Sequence, residues 1–150
     1  MKRQRKKYIT PKKPWDKERI QKEKALMKAY GLKRKREIWR AEALLRKYRR
    51  MARELIAKSD KKKEAQLIEK LSKLGILPKN STLDDVLSLS VENFLERRLQ
   101  TIVFRKGFAN TPKHARQLIV HGKVFINERK INYPSYLVPV EEEDKIKVVR

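Results

Sequence analysis

The sequence predicts an α+β protein: a mostly helical N-terminal half with an extended basic arm, followed by a small helix–β-hairpin module with a short antiparallel sheet. Three observations predict it. Through much of residues 16–106 apolar side chains recur every three or four positions, the spacing that places one stripe of an α-helix against a core. Residues 111–122 are bracketed by Thr111-Pro112 and Gly122, a helix start and a helix stop. Beyond them Val124-Phe125-Ile126 and Lys145–Val149 are short β-prone runs separated by turn-forming residues.

Taken in order, the first fifteen residues hold two prolines, five cations in the first seven positions and no hydrophobic period. Alone in water such an arm is expected to stay disordered, and to order on a polyanion. Arg3, Arg5, Lys6, Lys7, Lys12 and Lys13 supply its charge, and Tyr8 and Trp15 its stacking surfaces. A first helix begins after Asp16, a natural N-cap, and runs to Tyr30, where Gly31 can take the left-handed stop position. Arg19 adds to its basic surface, and Ile20, Leu26, Met27 and Tyr30 are its few apolar residues.

A second helix covers about Lys35 to Ala57, with Ile38, Ala41, Leu45, Tyr48, Ala52 and Leu55 forming one buried stripe. Arg34 and Lys35 stand at its start. Its other face carries Arg36, Arg40, Arg46, Lys47, Arg49, Arg50 and Arg53, against which Glu42 and Glu54 are heavily outnumbered. Like charges one turn apart repel, so this face suits a polyanion better than water.

Ser59 to Lys63 reads as a polar break. A third helix then runs to Leu74 with Leu67, Ile68, Leu71 and Leu74 inward, stopped by Gly75 and Pro78. Thr82-Leu83-Asp84-Asp85 has the form of a capping box opening a short turn through Leu89. Ser90 caps one further helix continuing to Gly107. Phe94, Leu95, Leu99, Ile102 and Val103 face its core side, and Arg97, Arg98, Arg105 and Lys106 its polar side. In the helix capped by Thr111, Ala115, Leu118 and Ile119 bury one face while Lys113, Arg116, Gln117 and His121 share the exposed one. Gly122 permits the reversal into a strand at 124–126. Asn127–Lys130 is the turn, Ile131 starts the return, and Tyr136–Val140 and Lys145–Val149 supply two further strands. The acidic run Glu141–Asp144 is expected to form the turn between them, the one farthest from any bound polyanion.

Charge divides the chain into three stretches. Residues 1–63 hold 26 Lys and Arg against 7 acids, residues 64–96 hold 3 against 6, and residues 97–150 hold 12 against 5. The reading is a basic arm with Arg-rich helices, a helical packing segment, and a compact module. With 41 cations against 18 acids the net charge is +23, a self-repulsion that a polyanion relieves. Nucleic acid is the partner this implies.

Other classes fit poorly. No apolar run approaches the roughly 18 residues of a spanning helix, so a membrane is not the expected partner. The N-terminus is charged, with no apolar leader after it, and the expected setting is intracellular. Without Cys there is no disulfide framework and no thiolate zinc site. Among four glycines there is neither a P-loop nor a dinucleotide fingerprint. Asp84-Asp85 sits at a helix start, which accounts for it electrostatically. His114 and His121 fit phosphate contact or helix capping better than acid–base work. The expectation is therefore no catalytic residue, no cofactor and no metal.

Leu95–Val103, Ala115-Arg116-Gln117-Leu118-Ile119, His121-Gly122-Lys123-Val124, Ile126-Asn127 and Pro134-Ser135-Tyr136-Leu137-Val138 resemble the small RNA-binding domain named after small-subunit ribosomal protein S-four. That domain also occurs in tyrosyl-tRNA synthetases, pseudouridine synthases and heat-shock RNA binders. Upstream, Thr10-Pro11, Pro14–Ile20, Tyr30-Gly31-Leu32, Lys35–Trp39 and Leu44–Arg50 resemble the N-terminal half of the archaeal and eukaryotic form of that ribosomal family. Together they cover nearly the whole chain.

The resemblance implies a primary assembly protein in the cytoplasmic ribosome, bound to the five-prime domain of small-subunit ribosomal RNA at a multi-helix junction. It further implies neighbouring small-subunit ribosomal proteins, a place near where messenger RNA enters the subunit, and an influence on decoding accuracy. No homo-oligomer is expected. The zinc site of some members is excluded by the missing cysteines, and contacts made by members that continue past the position of Arg150 are not carried over.

A patch of Arg97, Arg98, Lys113, Arg116, Gln117, His121 and Lys123 is expected to read RNA shape, with the arm and the Arg-rich helix clamping neighbouring RNA helices. Replacing Arg97, Arg98 and Arg116 is expected to weaken binding while leaving thermal stability intact. Two rivals stay open at this level. One is an RNA-modifying or tRNA-charging enzyme carrying the module as an appendage, for which no segment here is long enough to be the catalytic domain. The other is a DNA-compacting protein, which charge alone would allow.

Overall fold

A computed structural model describes residues 6–149. Helix α1 (Lys17–Ala29) starts where the Asp16 carboxylate accepts from the Arg19 N–H and ends at Gly31, whose φ is +60°. Helix α2 (Lys35–Lys58) is the longest element and turns its stripe of Ile38, Ala41, Leu45, Tyr48 and Ala52 fully inward. It ends on Ser59, which takes the left-handed conformation at φ 51° without being glycine. Asp60 then caps α3 (Lys61–Lys73) through the Lys63 N–H. The break expected over Ser59 to Lys63 is therefore two residues long. The three lysines belong to the helix, because a capping carboxylate lets the first turn begin at once.

Helix α4 (Leu83–Ser88) opens with the Asp85 carboxylate accepting from the Thr82 N–H at 2.7 Å, and α5 (Val91–Glu96) opens likewise with Asn93 on the Ser90 N–H at 2.8 Å. The single helix expected from Ser90 to Gly107 is two helices. Arg98 is extended, with φ −73° and ψ 141°, and α6 (Leu99–Arg105) restarts after it. A passing segment makes the break. The Leu99 N–H donates to Tyr136 O at 2.7 Å, the Val138 N–H donates to Arg97 O at 3.0 Å, and Arg98 forms a lone antiparallel bridge with Leu137. These bonds satisfy backbone groups that a continuous helix would otherwise use. For the same reason Tyr136–Val140 is not a ladder strand; it contributes that one bridge.

Helix α7 (Pro112–Val120) is capped by Thr111 on the His114 N–H, with Pro112 at its first position. Strand β1 (Val124–Ile126) pairs antiparallel with β2 (Arg129–Lys130) and with β3 (Ile146–Val148), giving the order β2-β1-β3. The hairpin turn is shorter than the four residues expected. Asn127 and Glu128 alone take positive φ, at 47° and 65°, as a two-residue turn of the primed kind requires. Arg129 and Lys130 pair with Ile126 and Phe125. The acidic run folds into a short helix, α8 (Val140–Glu143).

Two cores result. The first packs α2 with α3, α4, α5 and the Leu32 turn, and includes Tyr48 stacked on Phe94 with ring centroids 5.7 Å apart. The second lies beneath α6, α7 and the sheet, from Leu99 to Ile146. The α5–α6 break thus directs Phe94 and Leu95 to one core and Leu99, Ile102 and Val103 to the other. Where the halves meet the fit is close. A Cβ added at Gly31 would stand 2.7 Å from Pro112 Cβ and 3.1 Å from Gln100 Nε2, and one at Gly75 would stand 2.8 Å from Val140 Cγ2.

Candidate nucleic-acid interface

Between the two cores lies a polar joint. Gln100 is wholly buried, and its amide nitrogen lies 3.0–3.1 Å from the carbonyls of Tyr30, Gly31 and Pro112. Beside it one carboxylate holds two guanidinium groups. Glu37, from the first turn of α2, accepts from Arg98 Nη2 at 2.6 Å and from both terminal nitrogens of Arg116 at 3.0 Å. Burial alone would raise the Glu37 carboxyl, but the hydrogen bonds and charges of Arg116 and Arg98 more than offset it and hold it below its ordinary value. For Arg98 burial opposes the charge, and Arg116 and Arg40 oppose it further, so its value is lowered although Glu37 works the other way.

This joint changes the reading of three residues assigned from sequence to an exposed patch. The Arg98 side chain is 7% exposed and is paired with Glu37 at 2.6 Å. Arg97 is turned to the opposite side, donating to Glu143 at 2.7 Å and to Val138 O at 2.8 Å. Arg116 is half-buried. Removing all three is therefore expected to cost stability as well as binding, because a buried ion pair stripped of one partner leaves the other uncompensated. The acidic run is likewise engaged: Glu142 accepts from the Tyr136 hydroxyl, and Asp144 lies 3.1 Å from Lys106 Nζ.

The remainder of the module's patch is open. Lys113, Gln117, His121 and Lys123 are exposed along α7 and the turn after it, with Val120 exposed among them. The His121 backbone N–H, rather than its ring, bonds back to the Gln117 carbonyl. Arg105 is exposed and paired with Glu96 at 2.8 Å. Sequence reasoning missed Arg129, Lys130 and Tyr133, which extend this basic surface along β2 and the residues after it. Their signal was present as Arg-Lys within an Asn-Glu turn, but a four-residue turn hid a strand whose two side chains are both exposed.

Helix α2 sorts its cations by angle. At 3.6 residues per turn, Arg36, Arg40, Lys47 and Arg50 lie on the stripe opposite the core, and all four are exposed. Arg49 borders the apolar stripe and is half-buried, its guanidinium donating to the Leu89 carbonyl at the end of α4. Arg46 and Arg50 pair one turn away with Glu42 and Glu54, at 3.2 Å and 2.8 Å. Among the described residues Arg36, Arg40, Lys47 and Arg53 have no acidic partner.

Arg3 and Arg5 lie outside the described residues. Lys6, Lys7, Lys12 and Lys13 are exposed. The two arm aromatics part company: Tyr8 rests on Trp39 with centroids 6.0 Å apart, whereas Trp15 is 89% exposed. Trp39 donates to the buried Glu23 carboxylate at 2.9 Å, and Lys35 and Arg19 stand 3.1 Å and 3.4 Å from the same group. Lys35 and Arg19 are thus partly committed to the α1–α2 contact.

Lys33, Arg34, Arg36, Arg40, Arg98 and Arg116 surround a cleft of about 330 Å³ between α2 and the C-terminal module, with Glu37, Pro134 and Ser135 completing it. Among the described residues no group of three or more His, Cys, Asp or Glu is placed to hold a metal ion, and no helix is long and apolar enough to cross a membrane. The arrangement has the chemistry of a polyanion surface: guanidinium forks, a bare aromatic ring, and a broad cationic face on a rigid helix.

Sequence comparisons give the family. The family model described as the S4 domain matches residues 97–144, which span the α5–α6 break through α8. Small ribosomal subunit protein uS4 of Korarchaeum cryptofilum is 57% identical over 148 residues, covering 97% of this chain and 89% of that protein. Its counterpart in Methanococcus aeolicus is 57% identical over 143 residues, covering 93% and 81%. That of Nanoarchaeum equitans is 52% identical over 152 residues, covering 98% and 84%. At that identity over nearly its whole length, the chain belongs to the small ribosomal subunit protein uS4 family.

Proposed function

We propose that this chain is a non-catalytic structural constituent of the small ribosomal subunit in the cytoplasm, held there as a single copy by ribosomal RNA. The observation that carries the reading is the agreement of family membership with the surface. A member of a small-subunit family exposes Arg36, Arg40, Lys47 and Arg53 on α2 without acidic partners among the described residues, and its S4-domain helix α7 exposes Lys113, Gln117 and the His121 that follows it. The two halves grip different parts of a folded RNA. Lys113, Gln117, His121 and Lys123 meet phosphates and 2′-hydroxyls through shape. Arg36, Arg40, Lys47, Arg50 and Arg53 lie along a second backbone, and the arm threads beyond them with Trp15 stacking on an unpaired base.

The finer placement extends the same reading. The RNA is the five-prime domain at a multi-helix junction, bound early in assembly, with other small-subunit proteins beside it and messenger RNA passing close by. Decoding accuracy then depends on how this chain holds its neighbours. Filter binding of the full chain to separate five-prime, central and three-prime domain transcripts tests the placement, with the five-prime transcript expected to bind at least tenfold tighter than the others. Equal affinity for all three, or for random duplex DNA, would remove it.

A further inference from the structure

The joint between the cores combines an excess of cations with an unmatched buried donor. Six cations converge on the cleft between α2 and the C-terminal module, and a single carboxylate, Glu37, answers them. Glu37 is already spent, its two oxygens shared between Arg98 and Arg116. Arg98 has a further hydrogen to give: its buried Nε has no acceptor among the described residues, on a side chain that is 93% covered. A buried donor left unmatched is costly, and here it belongs to a residue lining a cleft walled by six cations. Arg34, Arg36 and Arg40 form the opposite wall, and all three are exposed and without an acidic partner among the described residues. Ser135 adds a hydroxyl at the rim.

We propose that this cleft is a receptor for one phosphoryl group, gripped at once by Arg34 at the N-cap of α2, by Arg36 and Arg40 on that helix, and by Arg98 and Arg116 from the C-terminal module. The inference rests on the RNA-binding reading and narrows it to one subsite. Glu37 orients the Arg98 and Arg116 forks, and the phosphoryl oxygens supply the negative charge that the carboxylate cannot. Because the two walls belong to different cores, seating the anion also fixes how the halves are aligned. The phosphoryl group comes either from an RNA backbone turned sharply into the cleft or from free inorganic phosphate.

Two triple variants separate this subsite from bulk charge. One carries Arg34→Gln, Arg36→Gln and Arg40→Gln; the other carries Lys47→Gln, Arg50→Gln and Arg53→Gln farther along the same helix. Each removes three exposed cations, and circular dichroism checks that each keeps its helix content. In the first arm, affinity for five-prime-domain RNA is measured at fixed salt, and the cleft triple is expected to lose at least about tenfold more than the distal triple. In the second arm, inorganic phosphate is titrated during thermal unfolding. A rise in midpoint for wild type and distal triple, absent from the cleft triple, identifies the free ion as a ligand. A cleft-specific loss in the RNA arm alone identifies the backbone as the source. Triples that behave alike in both arms overturn the subsite. If wild type itself shows no preference for ribosomal RNA, the broader reading fails instead, and the phosphate arm still reports on the cleft.

Discussion

Arg98 shows how the same side chain reads differently in sequence and in space. Among Arg97, Arg98, Arg105 and Lys106 it looks like one cation of a solvated stripe, yet its partner is Glu37, 61 positions away. No periodicity within its own helix encodes that distance. Residue pattern distinguishes apolar from charged; it does not distinguish a cation facing water from one facing a remote carboxylate. Removing this partner should be felt in stability: Arg98→Ala is expected to cost about 3 kcal/mol, checked by urea denaturation. The pH dependence has a definite sign. Glu37 is held below its ordinary value in the folded state, so its contribution is complete above the unfolded carboxylate value of about 4.3 and is lost as pH falls through the lower folded value. Wild type should therefore lose stability more steeply than Glu37→Gln between about pH 5 and pH 3, measured as the denaturant midpoint across that range. Parallel curves would assign the acid sensitivity to other carboxylates.

Among the elements, α2 was the most legible, because a 24-residue helix repeats its buried stripe often enough to fix the phase. The caps at Asp16, Thr82, Ser90 and Thr111 were legible for a local reason, since each acts on a backbone group within three residues. The α5–α6 break was not. Its apolar residues keep a helical spacing through the break, and only the returning Tyr136–Val138 segment, far along the chain, supplies the competing hydrogen bonds. The same non-local bonding reduced the expected strand there to one bridge. On α2, the phase that buries Ile38 and Tyr48 also decides which cations are available to a ligand. Replacing Arg36, Arg40, Lys47 and Arg50 together by Gln should flatten the log–log salt dependence of RNA binding by about 3. Replacing Arg49 instead should leave the slope nearly unchanged and lower the melting temperature, because that guanidinium serves the end of α4.

At the scale of the whole molecule, fold class and partner class were legible because both depend on bulk quantities, charge and period. The joint was not, because it arises only where two independently patterned halves meet. Its polar character sets it apart from both cores: Gln100, Glu37, Arg98 and Arg116 fill the place where a continuous apolar core would have fused the halves. Such a contact has a directional geometry, and a bound polyanion can tighten it. The two tryptophans give a way to follow that event without a label. Trp15 stands bare in solvent while Trp39 is hydrogen-bonded to Glu23 beneath Tyr8. Iodide should therefore quench mainly the red-shifted half of the emission, and that component should become shielded when RNA is added. A Trp15→Phe chain that keeps the same iodide response would show that the arm's ring is not the reporter. The indole left uncovered on a highly cationic arm is thus an optical gauge, native to the protein, of whether its first segment has found its seat.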